Sequence, residues 1–117
     1  MNLPQIKRVY ATASPADGTR ILVDALWPRG LSRDAAQLDA WCKTVAPSAE
    51  LRRWFGHDAA RWEEFLSRYH AELAARPEPV AELRALLDQG PATLLYAARD
   101  ERHNNALALR EYLARLP

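Results

Sequence analysis

The chain has 117 residues, 49% of them hydrophobic and 26% charged, and carries a net charge of +1 at neutral pH. That length suits one compact domain with a continuous core, and the balance is that of a soluble globular protein rather than a disordered or fibrous one. Near-neutral charge argues against the broad electropositive surface that holds long nucleic acids, so any anion site must be local.

Residues 1–10, MNLPQIKRVY, contain no hydrophobic signal core with a small-residue cleavage site. No apolar run is long enough to span a bilayer, so no membrane partner is expected and a cytoplasmic location is. IKRVY and RILVD are short β-favouring runs, separated by ATASPADGT with the turn residues Pro15, Asp17 and Gly18. After Gly30 the period changes. Ser32 is placed to cap a helix on which Leu38, Trp41, Cys42 and Val45 recur at helical spacing, with Pro47 as its stop. Cys42 is the single cysteine, which excludes an internal disulfide and a cysteine-based zinc site. On this reading it is a small buried hydrophobe.

Ser48 opens a second helix with Leu51, Trp54 and Phe55 on its buried stripe and Gly56 at its end. Asp58 caps a third, carrying Trp62, Phe65, Leu66, Tyr69 and Leu73, with His70 facing solvent. Pro77 and Pro79 break the chain before a fourth helix marked by Val80, Leu83, Leu86 and Leu87 and ended by Gly90. ATLLYA is the third strand. Asp100 is placed to cap a last helix that turns Ala106, Leu109, Leu113 and Leu116 inward. The order predicts an α/β fold, a small partly parallel sheet of about three strands covered by about five helices, because an all-helical crossover joins parallel strands.

In such sheets ligands bind beyond the carboxyl ends of the strands. VDALWPRG leaves the second strand and YAARDERHN leaves the third, so the two segments are expected on one rim. Asp24 is a candidate general base, an acceptor for a ligand hydroxyl, or a partner for a nearby arginine. Trp27 offers either a stacking surface or core packing. Arg29, beside the permissive Gly30, offers a guanidinium fork for phosphate or carboxylate. Across the rim, Asp100 and His103 are candidates for proton transfer, with Asp100 also a helix cap, and Asn104 for ligand orientation. Tyr96 can put its ring in the core and its hydroxyl in the pocket, and His57 sits on a turn from which it can approach the rim.

No glycine-rich phosphate loop, serine elbow or paired metal-binding histidines occur. His57, His103 and Asp24 or Asp100 can meet only through the fold, so no metal site and no cofactor is assigned.

The stretches KRVY, VDALWPRG, APSAELRRWFGHD and TLLYAARDERHNNA, in this order and spacing, resemble the small bacterial branch of the domain-of-unknown-function family 488. The resemblance implies a cytoplasmic bacterial α/β protein. Its pattern falls on Asp24, Trp27, Pro28, Arg29, Gly30, Trp54, Phe55, His57, Tyr96, Asp100, His103 and Asn104. The chain departs from it at Ala25, where the family motif has arginine, and at Asn105, where His or Gln is common.

Three functional classes follow. In the first, an enzyme or former enzyme binds a small anionic substrate through Arg29 and moves protons through Asp24 and His103. In the second, a non-catalytic module binds a nucleotide or nucleic acid, with Trp27 or Trp54 stacking a base. A protein-interaction domain is the third possibility and predicts an exposed apolar helix face. The sequence carries no signal for oligomeric state.

Overall fold

The structure, a computed structural model, describes residues 2–117. Four strands form one sheet: β1 (Gln5–Arg8), β2 (Thr19–Leu22), β3 (Ala40–Trp41) and β4 (Ala92–Tyr96). Their order is β1-β4-β2-β3, and every neighbouring pair is parallel. The helices are α1 (Arg33–Ala36), α2 (Ala49–Phe55), α3 (Trp62–Ala74), α4 (Pro77–Leu87) and α5 (Asn105–Ala114). The expected α/β class and five helices are present, and the sheet has one strand more than the sequence suggested.

All five residues of β4 are buried, as a central parallel strand requires. The alternation of its side chains separates two cores. Ile21 and Leu94, paired in register, join the main core with Phe55, Phe65, Tyr69, Leu83 and Leu109 from the helices. Leu22 and Leu95, the next pair, join a smaller cluster with Val9, against which Trp27, Leu31, Leu38 and Trp41 pack. Thus α2 to α5 supply the main core, while loop aromatics and aliphatics pack against the opposite cluster. No helix among the described residues is long and apolar enough to cross a membrane.

Gly18 precedes β2 because no other residue fits there. Its φ is +64°, and a Cβ would lie 2.1 Å from the carbonyl oxygen of Pro91, which accepts from the Thr19 N–H.

The helix expected from Ser32 to Pro47 is only one turn long. Ser32 does cap it, accepting from the Ala35 N–H at 3.0 Å, but Gln37 adopts a left-handed conformation and ends it. Asp39 then clips onto β2, its N–H donating to the Arg20 carbonyl and its carboxylate accepting from the Arg20 N–H at 2.8 Å. The open edge of β2 therefore draws the next residues into β3, overriding their helical spacing. Trp41 and Cys42 consequently lie outside any α-helix. Cys42 is half-buried at the start of a short 3-10 turn, and burial pushes its thiol up.

Two further expectations change. Pro77 and Pro79 do not precede α4 but form its first turn, where a missing N–H costs nothing. His70 is half-buried rather than solvent-facing: its Nε2 lies 2.8 Å from the Ala108 carbonyl oxygen and its ring packs near Tyr112.

Candidate functional site

Because β2 and β4 run side by side in parallel, their exit loops leave the same end of the sheet. Between them opens a cleft of about 510 Å³. Of the sequence candidates, Asp24, Trp27, Arg29, His57, His103 and Asn104 line it. Asp100 lines an adjoining recess with His57 and Arg99. Gly30, Trp54 and Tyr96 line neither. Gly30 is exposed with φ +74°, Trp54 carries the guanidinium of Arg68 4.5 Å from its ring centre, and the Tyr96 ring is buried in the main core.

Asp24 continues from β2 and reaches across to the exit of β4. One carboxylate oxygen accepts from the Ala97 N–H at 3.0 Å and the other from the Asn105 amide at 3.0 Å. The same amide donates to the Val23 carbonyl. Burial pushes the Asp24 carboxyl above its ordinary range, opposed by these hydrogen bonds and by the charges of Arg52 and His57. Asp24 thus ties two strand ends to the start of α5.

Trp27 donates from Nε1 to the Leu31 carbonyl, meets Trp41 edge-on at 5.3 Å, and lies under the Arg33 guanidinium at 4.1 Å. Its packing on the smaller core explains why the strand ends in a bulky aromatic. The next residue but one, Arg29, is exposed, and its side chain has no partner among the described residues. Only its backbone is fixed, by the Tyr10 hydroxyl donating to its carbonyl at 2.7 Å.

The expectation that Asp100 caps the last helix is corrected. The cap is Asn104, whose side-chain oxygen accepts from the Leu107 N–H at 2.8 Å and whose amide donates to the Asp100 carbonyl. Both residues are good caps, and the clamp of the neighbouring Asn105 on Asp24 and Val23 fixes where α5 begins. His103 accordingly lies in the preceding turn rather than on the helix. Asp100 accepts from the N–H groups of Arg102 and His103 at 2.8 and 3.1 Å and faces His103 Nδ1 at 2.9 Å. The hydrogen bonds from the Arg102 backbone and the His103 side chain hold its carboxyl below the usual range.

His57 enters the cleft from the turn after α2 with φ +57°, next to Gly56 at +52°. A left-handed residue with a Cβ is strained by about 1–2 kcal/mol, and glycine's greater entropy loss offsets roughly 0.5–1 kcal/mol of the relief. His57→Gly is therefore expected to raise folding stability by about 0.5–1 kcal/mol in denaturant titration while removing the imidazole. A loss of stability would mean that the ring packing near Phe55, 6.4 Å between centres, outweighs the strain.

Three polar lining residues were not among the sequence candidates: Tyr10, Arg52 and Asn105, the last noted only as a departure from the family motif. Tyr10 follows the carboxyl end of β1, which pairs with β4 on its other side and so opens on the same rim. Arg52 lies one turn before Phe55 on α2 and anchors one guanidinium nitrogen on the Pro47 carbonyl at 2.8 Å. Among the described residues no group of three metal-ligating side chains assembles.

A family model described as the inactive DUF488-N3 subclade matches residues 4–116. The chain is 42% identical over 116 residues to the Escherichia coli (strain K12) protein named Uncharacterized protein YeaO, with 99% of this chain and 100% of that one covered. It is 41% identical over 109 residues to Uncharacterized protein Rv3073c of Mycobacterium tuberculosis (strain ATCC 25618 / H37Rv), covering 93% and 92% of the two. No solved structure matches.

Proposed function

The chain belongs to the inactive DUF488-N3 subclade, and from that premise we propose that it is a binding protein whose cleft holds a small phosphate-bearing anion without turning it over. The charge balance of the lining carries this reading. Two arginines, Arg29 and Arg52, line the cleft with one carboxylate, Asp24, which burial pushes toward its neutral form. Each Asp24 oxygen already accepts a protein N–H, which favours a structural role over proton abstraction. Ala25, on the cleft wall where the family motif carries arginine, withholds one further cation. Arg29 combines a fixed backbone with an unpaired fork, the arrangement suited to bidentate phosphate binding.

Stacking of a base finds less support. Trp27 has Arg33 over its ring and Trp54 has Arg68 and Arg61, so each aromatic platform is already engaged by a cation.

The test is Arg29→Ala, followed by calorimetry with inorganic phosphate and simple alkyl phosphates. Stability should change by no more than about 0.5 kcal/mol, as for other exposed side chains. Affinity should fall roughly 10- to 100-fold, in line with a charge-assisted hydrogen bond of about 1.5–3 kcal/mol. Equal affinity in wild type and variant, or no phosphate binding by wild type, overturns the reading.

A further inference from the structure

One imidazole of the cleft has its hydrogen-bonding role assigned by the fold. Asp100 Oδ1 is held by two backbone N–H groups, those of Arg102 and His103, which leaves Oδ2 facing His103 Nδ1 at 2.9 Å. A carboxylate has only lone pairs to offer, so Nδ1 must carry the proton that joins them. In a neutral imidazole the other nitrogen is then a bare acceptor. That nitrogen, Nε2, has no hydrogen-bond partner among the described residues, although the ring lines the cleft. Trp62 meets the ring edge-on, 5.3 Å between centres, and packs against it as Asp100 holds it.

We infer that Asp100 holds neutral His103 as the Nδ1–H tautomer, presenting a bare Nε2 acceptor to the cleft, so that the bound ligand carries a hydroxyl or N–H donor beside its anionic group. The ligand class is then a hydroxylated phosphate ester, such as a polyol or sugar phosphate, rather than a plain phosphate. This rests on the anion-binding reading above. An anionic oxygen set against the Nε2 lone pair would be repelled, whereas a hydroxyl donates to it. Arg29 and Arg52 take the anionic end. His103 reads the neutral one, and Asp100 is a positioning residue that acts through it.

Two measurements on the full chain test this. Long-range proton–nitrogen spectra in mildly alkaline buffer report the tautomer of each of the three histidines, with His103 assigned by the signal lost in His103→Gln. Wild type should show Nδ1 protonated and Nε2 bare. Asp100→Asn should reverse this: the two backbone N–H groups require the amide oxygen in the Oδ1 place, so the amide NH₂ faces Nδ1 and moves the proton to Nε2.

Binding is then compared, in the same mildly alkaline buffer, across a short series of hydroxyalkyl phosphates, their methyl ethers and the unsubstituted alkyl phosphates. At one chain length or more the hydroxyl should be preferred over the ether by about fivefold or more in wild type, the worth of one hydrogen bond. In Asp100→Asn the ether, an acceptor only, should bind as well as the alcohol. A wild-type proton on Nε2 overturns the inference whatever binds, and this reading does not depend on Asp100→Asn folding. Equal affinity for alcohol, ether and alkyl chain also overturns it while leaving the anion-binding reading intact. Failure of every phosphate to bind overturns that reading instead.

Discussion

Replacing Asp17 by alanine is expected to destabilise the fold by about 3–5 kcal/mol, the cost of leaving a buried charge without its partner. The charge left behind is Arg20 on β2, whose side chain is 6% exposed. Its Nη1 donates to Asp17 at 2.6 Å, while Nε and Nη2 donate to the carbonyls of Gln37 and Ala36 at the end of α1. Asp17 also accepts from Lys7 on β1 and from the Ser14 N–H, so one carboxylate joins two strands and the turn between them. Denaturant titration measures the loss, and a value below about 1 kcal/mol would show that water or a rearranged Lys7 replaces the carboxylate.

The same residue sets a sign for acid unfolding. Burial opposes ionisation of Asp17, but the hydrogen bonds from Ser14, Lys7 and Arg20 outweigh it and hold its carboxyl below the ordinary value of 3.8. The folded state therefore holds this proton less tightly than the unfolded chain does. Its contribution is complete above the unfolded carboxyl range and is lost as pH falls toward the folded value. Asp24, whose pKa is raised, acts in the opposite sense: its protonation favours the folded state as pH falls toward 3.8. Asp17→Ala should flatten the lower, destabilising limb and leave the Asp24 contribution in place.

Phe65→Ala is the second large effect, expected at roughly 3–5 kcal/mol for a buried aromatic whose site cannot collapse. Phe65 is 2% exposed and stacks on Phe55 at 4.4 Å, with Trp62 and Tyr69 each 5.7 Å away between ring centres. It also lines the cleft, so the void opened by alanine would join that space and admit water. That places the expected loss toward the lower end of the range. Phe65→Leu should recover most of it. An alanine loss below about 1 kcal/mol would mean that the α3 stripe is not the supporting face of the core.

Where a segment's structure follows from its own pattern, the sequence sufficed. The stripe Leu51, Phe55, then Phe65, Tyr69 and Leu73, placed α2 and α3, and the crossover rule put the LWPRG and RDERHN segments on one rim. What depended on distant partners was not legible. The residues around Ala40 carry a helical spacing, and only the bonds between Asp39 and Arg20 make them a strand. Asp17 reads locally as a turn residue, and nothing nearby announces that a strand arginine will bury itself against it. Asp100 and Asn104 are chemically equivalent caps one turn apart, distinguished by Asn105 reaching Asp24 across the chain. Arg52 has an ordinary helical neighbourhood and enters the cleft because the sheet order brings α2 to that rim.

The central place of β4 has a consequence for how the chain acquires its shape. β1 and β2 are both made early, yet neither pairs with the other; each waits for β4, as in the pairing of Gln5 with Thr93 and of Ile21 with Leu94. A chain growing from its N-terminus at the ribosome therefore carries β1 unpaired through most of its synthesis, and β2 with only the short β3 on one edge. Completion of the sheet is then a late event that joins residues from the two ends of the sequence, as Gln5 with Thr93, and such long closures fold slowly. During that interval the exposed strand edges are open to pairing with another nascent copy.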